Sequence, residues 1–248
     1  MIQKPLFAPQ TEWLPPTEFP DLSKYDEIAI DLETKDPNLK TMGSGSVTGQ
    51  GHVVGIAVAV HDWAGYYPIR HEGGGNMDIK MVLKWFQDVL NTSATKIFHN
   101  AMYDVCFIRA SGLEIRGNIV DTMIAGSLVD ENRFRYDLGS LGRDYVGKGK
   151  NEAVLKETAD VWGVDAKSEM YKLPAMYVGE YAEQDATLTL QLWQEMKKEI
   201  VHQDIESIFE LECALFPCLV DMRFLGVRVD TQAALELKNK LLEEEKEC

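Results

Sequence analysis

The sequence is short of several things, and each shortage excludes a class of protein. No apolar run approaches the roughly 18 residues that a membrane helix requires, and MIQKPLFAPQTEW at the start contains no stretch apolar enough for a secretion signal. The four cysteines (Cys106, Cys213, Cys218 and Cys248) form no CxxC pair and no metal-finger spacing, so reduced thiols in a cytoplasmic protein are expected. The five histidines make no HExxH or HxxxH pair, and neither a GxxxxGK[ST] phosphate loop nor a GxGxxG turn is present. No Ser/His/Asp or Cys/His pattern suggests a nucleophile. Basic residues are also scarce: 25 against 40 acidic ones, for a net charge of −15 over 248 residues. At first sight that argues against a nucleic-acid partner, since phosphate binding rewards Lys and Arg.

What is present points to a folded α/β domain. With 45% hydrophobic residues a core is expected and wholesale disorder is not. The acid excess is uneven. It concentrates in the first fifty residues and in 151–248, while 131–150 holds five bases (Arg133, Arg135, Arg143, Lys148, Lys150) against three acids. A solvated loop is the plain explanation of that basic segment.

Residues 1–24 contain five of the nine prolines and read as an extended arm. Ile28, Ile30 and Leu32 alternate with Ala29, Asp31 and Glu33, the period of a strand. Residues 34–52, polar and rich in Gly and Ser, read as a flexible loop. Strands over 53–60 and 65–69 form a hairpin, followed by a helix over 77–90 and a strand at 95–98. A helix over 101–110 stops at Gly112. A brief strand and helix occupy 119–129, and 152–200 is mostly helical with a break near Leu173–Pro174. This order fits a mixed sheet flanked by helices.

Three groups of residues carry chemistry. Asp31 and Glu33, two apart on a strand, leave the same face. Two carboxylates there repel each other and are costly to bury, a conflict that a divalent cation resolves; in isolation, a strand at the rim with both acids in water is the simpler reading. In HNAMYD (99–104), Asn100 is placed to cap a helix and Asp104 lies in its first turn, at the end of a strand where sites form in α/β sheets. Tyr181 and Asp185 are i and i+4 on a helix whose Leu188, Leu192 and Met196 continue near the same face, which makes that face inward. Together the four acids and the tyrosine could converge on two divalent metals. Hydrolysis of a phosphodiester by two ions about 3.5–4 Å apart needs such an oxygen-rich set and a polar group to orient water.

IAIDLET (28–34), FHNAMYDVCFI (98–108) and YAEQDATLTLQLW (181–193) resemble the three exonuclease motifs of the DEDD superfamily, the tyrosine marking the DEDDy branch. Residues 119–147 resemble the proofreading domain of family A, DNA polymerase I-like, enzymes of phage or bacterial kind. LECALFPCLVDMRFLGVRVDTQAAL (211–235) resembles the segment leading into the polymerase domain.

This resemblance implies a ribonuclease H-like fold: a five-stranded mixed sheet flanked by helices, with a short C-terminal helical segment. It implies an arm over 1–24, an exonuclease domain over 25–202 and the helical start of a truncated polymerase domain over 203–248. Asp31, Glu33, Asp104 and Asp185 would hold two Mg2+ or Mn2+ ions. Asp31 would bridge both, Glu33 and Asp185 would complete the tighter site, and Asp104 would act on the second. Tyr181 would orient the attacking water with help from Glu33, and Thr34, Asn100 and Tyr103 would contact the substrate. The implied partners are a single-stranded DNA 3′ end and the polymerase domain of a parent chain, in a monomer without membrane contact. No polymerase motif precedes the end at EEEKEC (243–248), so a fragment of a larger polymerase is expected. The charge then acquires a narrower meaning. Two dications would bring −15 to −11, and weak, metal-dependent DNA binding is expected of this piece alone. The alternatives are a DEDDy ribonuclease of the RNase D kind and a non-catalytic nucleic-acid-binding module.

Overall fold

The computed structural model describes residues 9–247, so the first eight residues of the expected arm lie outside the described residues. Five strands form one sheet: β1 (Glu27–Lys35), β2 (His52–Val60), β3 (Trp63–Pro68), β4 (Thr95–Phe98) and β5 (Ile119–Asp121), in the order β3-β2-β1-β4-β5. The β1, β2 and β3 ladders are antiparallel, whereas β1–β4 and β4–β5 are parallel. Between them lie α1 (Leu39–Met42), α2 (Gly45–Thr48), α3 (Ile79–Leu90) and α4 (Ala101–Ala110). After β5 come α5 (Thr122–Val129), α6 (Leu138–Leu141), a wide turn of helix over Gly142–Val146, α7 (Ala153–Trp162), α8 (Gly179–His202), α9 (Glu206–Leu225) and α10 (Thr231–Glu247).

The alternation along β1 sorts its side chains between two layers. Ile28, Ile30 and Leu32 are buried with Phe86 and Leu90 of α3 and Phe107 of α4. Ala29 faces the other way, sharing a buried cluster with Ala57, Ala59 and Tyr66 of the sheet and with Ala182 and Ala186 of α8. Small residues on both sides of this contact let α8 lie close to the sheet, which brings its first turns over β1. Each fully buried Ile, Leu or Phe in these layers contributes about 1.5–3 kcal/mol relative to exposure.

Two expectations need correction. The Gly/Ser-rich stretch 34–52 is ordered: β1 runs on to Lys35, and α1 and α2 follow. The Asp36 carboxylate accepts the Gly45 N–H with both oxygens, at 3.1 and 3.0 Å, pinning the base of the loop. Asn100 does not cap α4 through its side chain. It adopts a left-handed conformation (φ 65°), and Asp121 at the end of β5 takes the N–H groups of Asn100 (2.9 Å), Ala101 (2.8 Å) and Met123 (2.8 Å), so that one carboxylate serves the starts of both α4 and α5. The break near Leu173–Pro174 is present as two short 3-10 turns ahead of α8.

The arm is bound to the fold where it is described. Trp13 stacks over Gly179, where a Cβ would fall 2.0 Å from the indole, and its Nε1 donates to Glu183 (3.0 Å). The side chains of Trp85 and Tyr67 donate to the carbonyls of Pro20 and Glu18, each at 2.9 Å. No helix among the described residues is long and apolar enough to cross a membrane. Side chains of α10 are exposed over residues 231–246, and α9 packs through Phe209, Phe216 and Val220.

Candidate active site

Asp31 and Glu33 point from β1 toward α8 rather than into water at a rim. Pairing places Asp31 opposite Ala57 and Glu33 opposite Gly55, after which the register slips so that Thr34 faces Val53. Gly55 is required there: a Cβ would lie 2.0 Å from the Tyr66 hydroxyl, whose ring covers the glycine. That ring is held in turn. The His71 Nδ1 donates to the Leu173 carbonyl (2.9 Å), which leaves Nε2 to accept the Tyr66 O–H (2.6 Å). Burial pushes the His71 imidazole down to about 4, so it stays neutral.

Asp104 reaches the same region from the opposite layer. The β1–β4 ladder ends at Ala29–Ile97, so the β1 edge beyond it lacks a strand partner. The first turn of α4 fills that edge, and Asp104 Oδ1 accepts the N–H of Leu32 at 3.0 Å, between the two acids of β1. From α8 come Tyr181 and Asp185, the latter 3% exposed. β1, α4 and α8 thus bring four carboxylates within electrostatic reach, Asp31 acting on Glu33 and Asp104 and itself feeling Asp185.

Their electrostatics are strained. Burial, then Asp185, raises Asp31 to about 7 against the pull of Lys150. Burial followed by Asp31 and Asp185 raises Glu33 well above the usual carboxylate range. Burial and Asp31 do the same to Asp104, although the Leu32 N–H opposes them. Asp185 is raised by burial, with Lys150 drawing it back. Tyr181, half-buried, is pushed far above the range of an ordinary phenol by desolvation and by Asp185, Glu33 and Asp31, so its hydroxyl keeps its proton.

Sequence reasoning missed Lys150. It extends from the loop after the Gly142–Val146 turn, pairs with Asp185 Oδ2 and donates to Tyr181 Oη at 3.2 Å. Burial works against its ammonium, but Asp185, Asp31 and Glu33 outweigh that and hold it above the ordinary lysine range. The only signal in the sequence was the basic bias of 131–150. A cleft of about 580 Å³ opens here, lined by Lys148, Lys150, Asn151, Gln184 and Asp185 among others.

The three expected substrate contacts separate into two groups. Thr34 Oγ1 and Tyr103 Oη are bonded to each other at 2.7 Å, and Tyr103 also donates to Asp36 (3.3 Å). Asn100 is exposed at the start of α4.

The donor set suits a hard divalent cation. All four groups offer carboxylate oxygens, the type that Mg2+ and Mn2+ prefer, and Asp185 Oδ1 is buried with no hydrogen-bond partner. Among the described residues, no three acidic, His or Cys side chains already converge on one point as a coordination shell does; the cation bound to Asp185 is Lys150.

Residues 17–201 match the model of the 3′–5′ exonuclease family found in A-type DNA polymerases. A DNA-directed DNA polymerase of Pseudomonas phage M6 is 34% identical over the whole chain, which covers 38% of that protein. The chain spans about a third to two-fifths of the length of the phage relatives it matches. Among solved structures, Pol1 from M. smegmatis in complex with DNA primer-template and dNTP superposes with a TM-score of 0.65 at 15% identity, over 91% of this chain and 33% of that one. Brucella melitensis NrnC with bound Mg2+ gives 0.58 at 18%, over 83% and 89%. Escherichia coli RNase D gives 0.55 at 16%, over 83% and 47%. The ribonuclease H-like architecture expected from the sequence is the one these structures share.

Proposed function

The chain belongs to the 3′–5′ exonuclease family of A-type DNA polymerases, and from that premise we propose that it shortens single-stranded or frayed DNA 3′ ends by two-metal hydrolysis. The products are nucleoside 5′-monophosphates, and the role is proofreading within a DNA-directed DNA polymerase in the cytoplasm. The observation that carries this reading is the gathering of Asp31, Glu33 and Asp185 beside one protonated tyrosine and a single lysine, with Asp104 joined to the group through Asp31.

These four residues would hold two Mg2+ or Mn2+ ions, which when bound supply Lewis-acid stabilisation of charge on the scissile phosphate and the leaving 3′ oxygen. The protein's own part follows from its geometry. Tyr181 keeps its proton, so it orients the attacking water or hydroxide by donating to its oxygen and does not act as a base. Glu33, on the same face of β1 as Asp31, assists that orientation. The Thr34–Tyr103 pair and Asn100 lie near the acids on β1 and α4, where they would position the terminal nucleotides. Residues 25–202 form the exonuclease unit, and 203–248 lead toward a polymerase domain. The exposed Leu211, Leu215, Met222 and Leu225 of α9 support a further domain packing there. The exonuclease unit acts as a monomer.

The test is a labelled single-stranded oligonucleotide with Mg2+ or Mn2+, with Asp31→Ala as control. Shortening from the 3′ end by the wild type alone supports the proposal. Equal survival of the substrate with both proteins sinks the enzyme reading in favour of a non-catalytic binding module. The likeness to RNase D motivates a second reading, a DEDDy ribonuclease; an RNA 3′ end degraded far faster than a DNA one would establish it instead.

A further inference from the structure

Lys150 is not among the carboxylate and tyrosine groups of the proposed reaction, yet it contacts two of them and acts electrostatically on two more, Asp31 and Glu33. Its Nζ pairs with Asp185 Oδ2, donates to Tyr181 Oη at 3.2 Å and lies 5.3 Å from the centroid of the Tyr181 ring. Its side chain is 25% exposed and that of Asp185 4%. Among the described residues no other cation pairs with any of the four acids. One ammonium cannot compensate four carboxylates, and it leaves Asp185 Oδ1 unpartnered. It occupies, moreover, one of the two Asp185 oxygens open to a divalent ion, and its positive charge beside the other opposes a second cation there. Its second contact, to the Tyr181 hydroxyl, makes no such conflict. The cleft of about 580 Å³ that it lines with Lys148, Glu180 and Glu183 leaves room beside it for a phosphate, on which an ammonium released from Asp185 could act.

We propose that Lys150 is an exchanging cation: it holds Asp185 and Tyr181 in place while the site is free of metal, yields Asp185 to a divalent ion, and then places its ammonium on a non-bridging oxygen of the scissile phosphate. The inference rests on the exonuclease reading above. It assigns to one lysine two jobs, each with a measurable consequence. Before substrate arrives, Lys150 competes with the metal. Once metal is bound, it contributes a charge-assisted hydrogen bond to the phosphate.

The probes are Mn2+ alone and deoxythymidine 5′-monophosphate in saturating Mg2+, each followed by calorimetry. Lys150→Met is expected to bind Mn2+ at least tenfold more tightly than wild type and the nucleotide at least fivefold more weakly. Lys150→Arg, which keeps the charge, returns both constants to within about threefold of wild type. A lysine that merely braces its loop would leave Mn2+ affinity unchanged or reduced, and either result overturns the proposal, as does unchanged nucleotide binding. Should Lys150→Met fail to fold, wild-type crystals soaked in Mn2+ decide: Nζ departs from Asp185 Oδ2, and its retention there with ions bound overturns the exchange. Failure of the exonuclease reading is separable, because inactivity on both DNA and RNA leaves the Mn2+ competition intact.

Discussion

Strand β1 and helix α8 meet at two acidic places, and the two are built on opposite rules. At the start of β1, Glu27 accepts the Trp193 indole N–H (3.0 Å), the Gln194 amide (2.5 Å) and the Lys197 ammonium (2.5 Å), all from α8. Burial disfavours its charge, but the three donors bring the carboxyl below its ordinary range. Four and six residues further on, Asp31 and Glu33 face the first turns of the same helix and find there another acid, Asp185, and a tyrosine. Both are pushed upward. One end spends donors on a single carboxylate, which is how an acid stabilises a fold. The other gathers four acids and gives them fewer donors, Lys150 on Asp185 and the Leu32 N–H on Asp104, which costs stability; in the proposed reading the remaining oxygens are those that would take the divalent ions.

The sharpest way to break this contrast is to neutralise one acid at each end. Asp31→Asn should lower nuclease activity at least about a thousandfold and at the same time raise the melting temperature of the metal-free protein, since a repulsion is removed. A drop in melting temperature would mean that Asp31 is braced in the way Glu27 is. Next in size, Tyr181→Phe should cost about a hundredfold in kcat with Mn2+ affinity unchanged by calorimetry; an unaltered rate would remove the tyrosine from the reaction. Glu27→Ala should behave in the reverse sense. It leaves Trp193, Gln194 and Lys197 without their acceptor and should cost about 1–3 kcal/mol in chemical unfolding, while kcat per folded molecule stays level.

The gentlest difference is one of slope. Asp31 holds its proton in the folded state up to about pH 7 but releases it near 4 when unfolded. The metal-free fold therefore loses stability as pH climbs between those values. Glu27, depressed in the folded state, contributes stability that is lost as pH falls through its lowered value. Unfolding curves of Asp31→Asn and Glu27→Gln across pH 3–8 should each remove one of these opposing slopes, and a profile unaffected by Asp31→Asn would contradict the assignment.

The sequence was informative wherever a period or a fixed spacing carried the information. Alternation located β1 and separated Ile28, Ile30 and Leu32 from Asp31 and Glu33. The i, i+4 relation put Tyr181 and Asp185 on one inward face with Leu188, Leu192 and Met196, all three buried. The hidden features depend on partners distant in the chain. Lys150 meets an acid 35 residues away, and Asp121 caps a helix begun 20 residues earlier. Asp36 helps to order a loop whose composition suggests mobility, by accepting the Gly45 amide nine residues on and the Tyr103 hydroxyl from α4. Whether the β1 acids face water or α8 was equally illegible, since that turns on the small residues Gly55, Ala57, Ala59, Ala182 and Ala186 that set how closely the helix approaches.

The bond from the Leu32 amide to Asp104 Oδ1 has a practical consequence. Leu32 lies between Asp31 and Glu33, so its N–H records the state of both flanking acids and of Asp104 at once. In the proposed reading it would be a gauge of site occupancy. A ligand drawing charge from Asp104 must alter the 15N shift and hydrogen-exchange rate of that single amide, so filling of the site can be followed residue by residue without substrate, label or turnover.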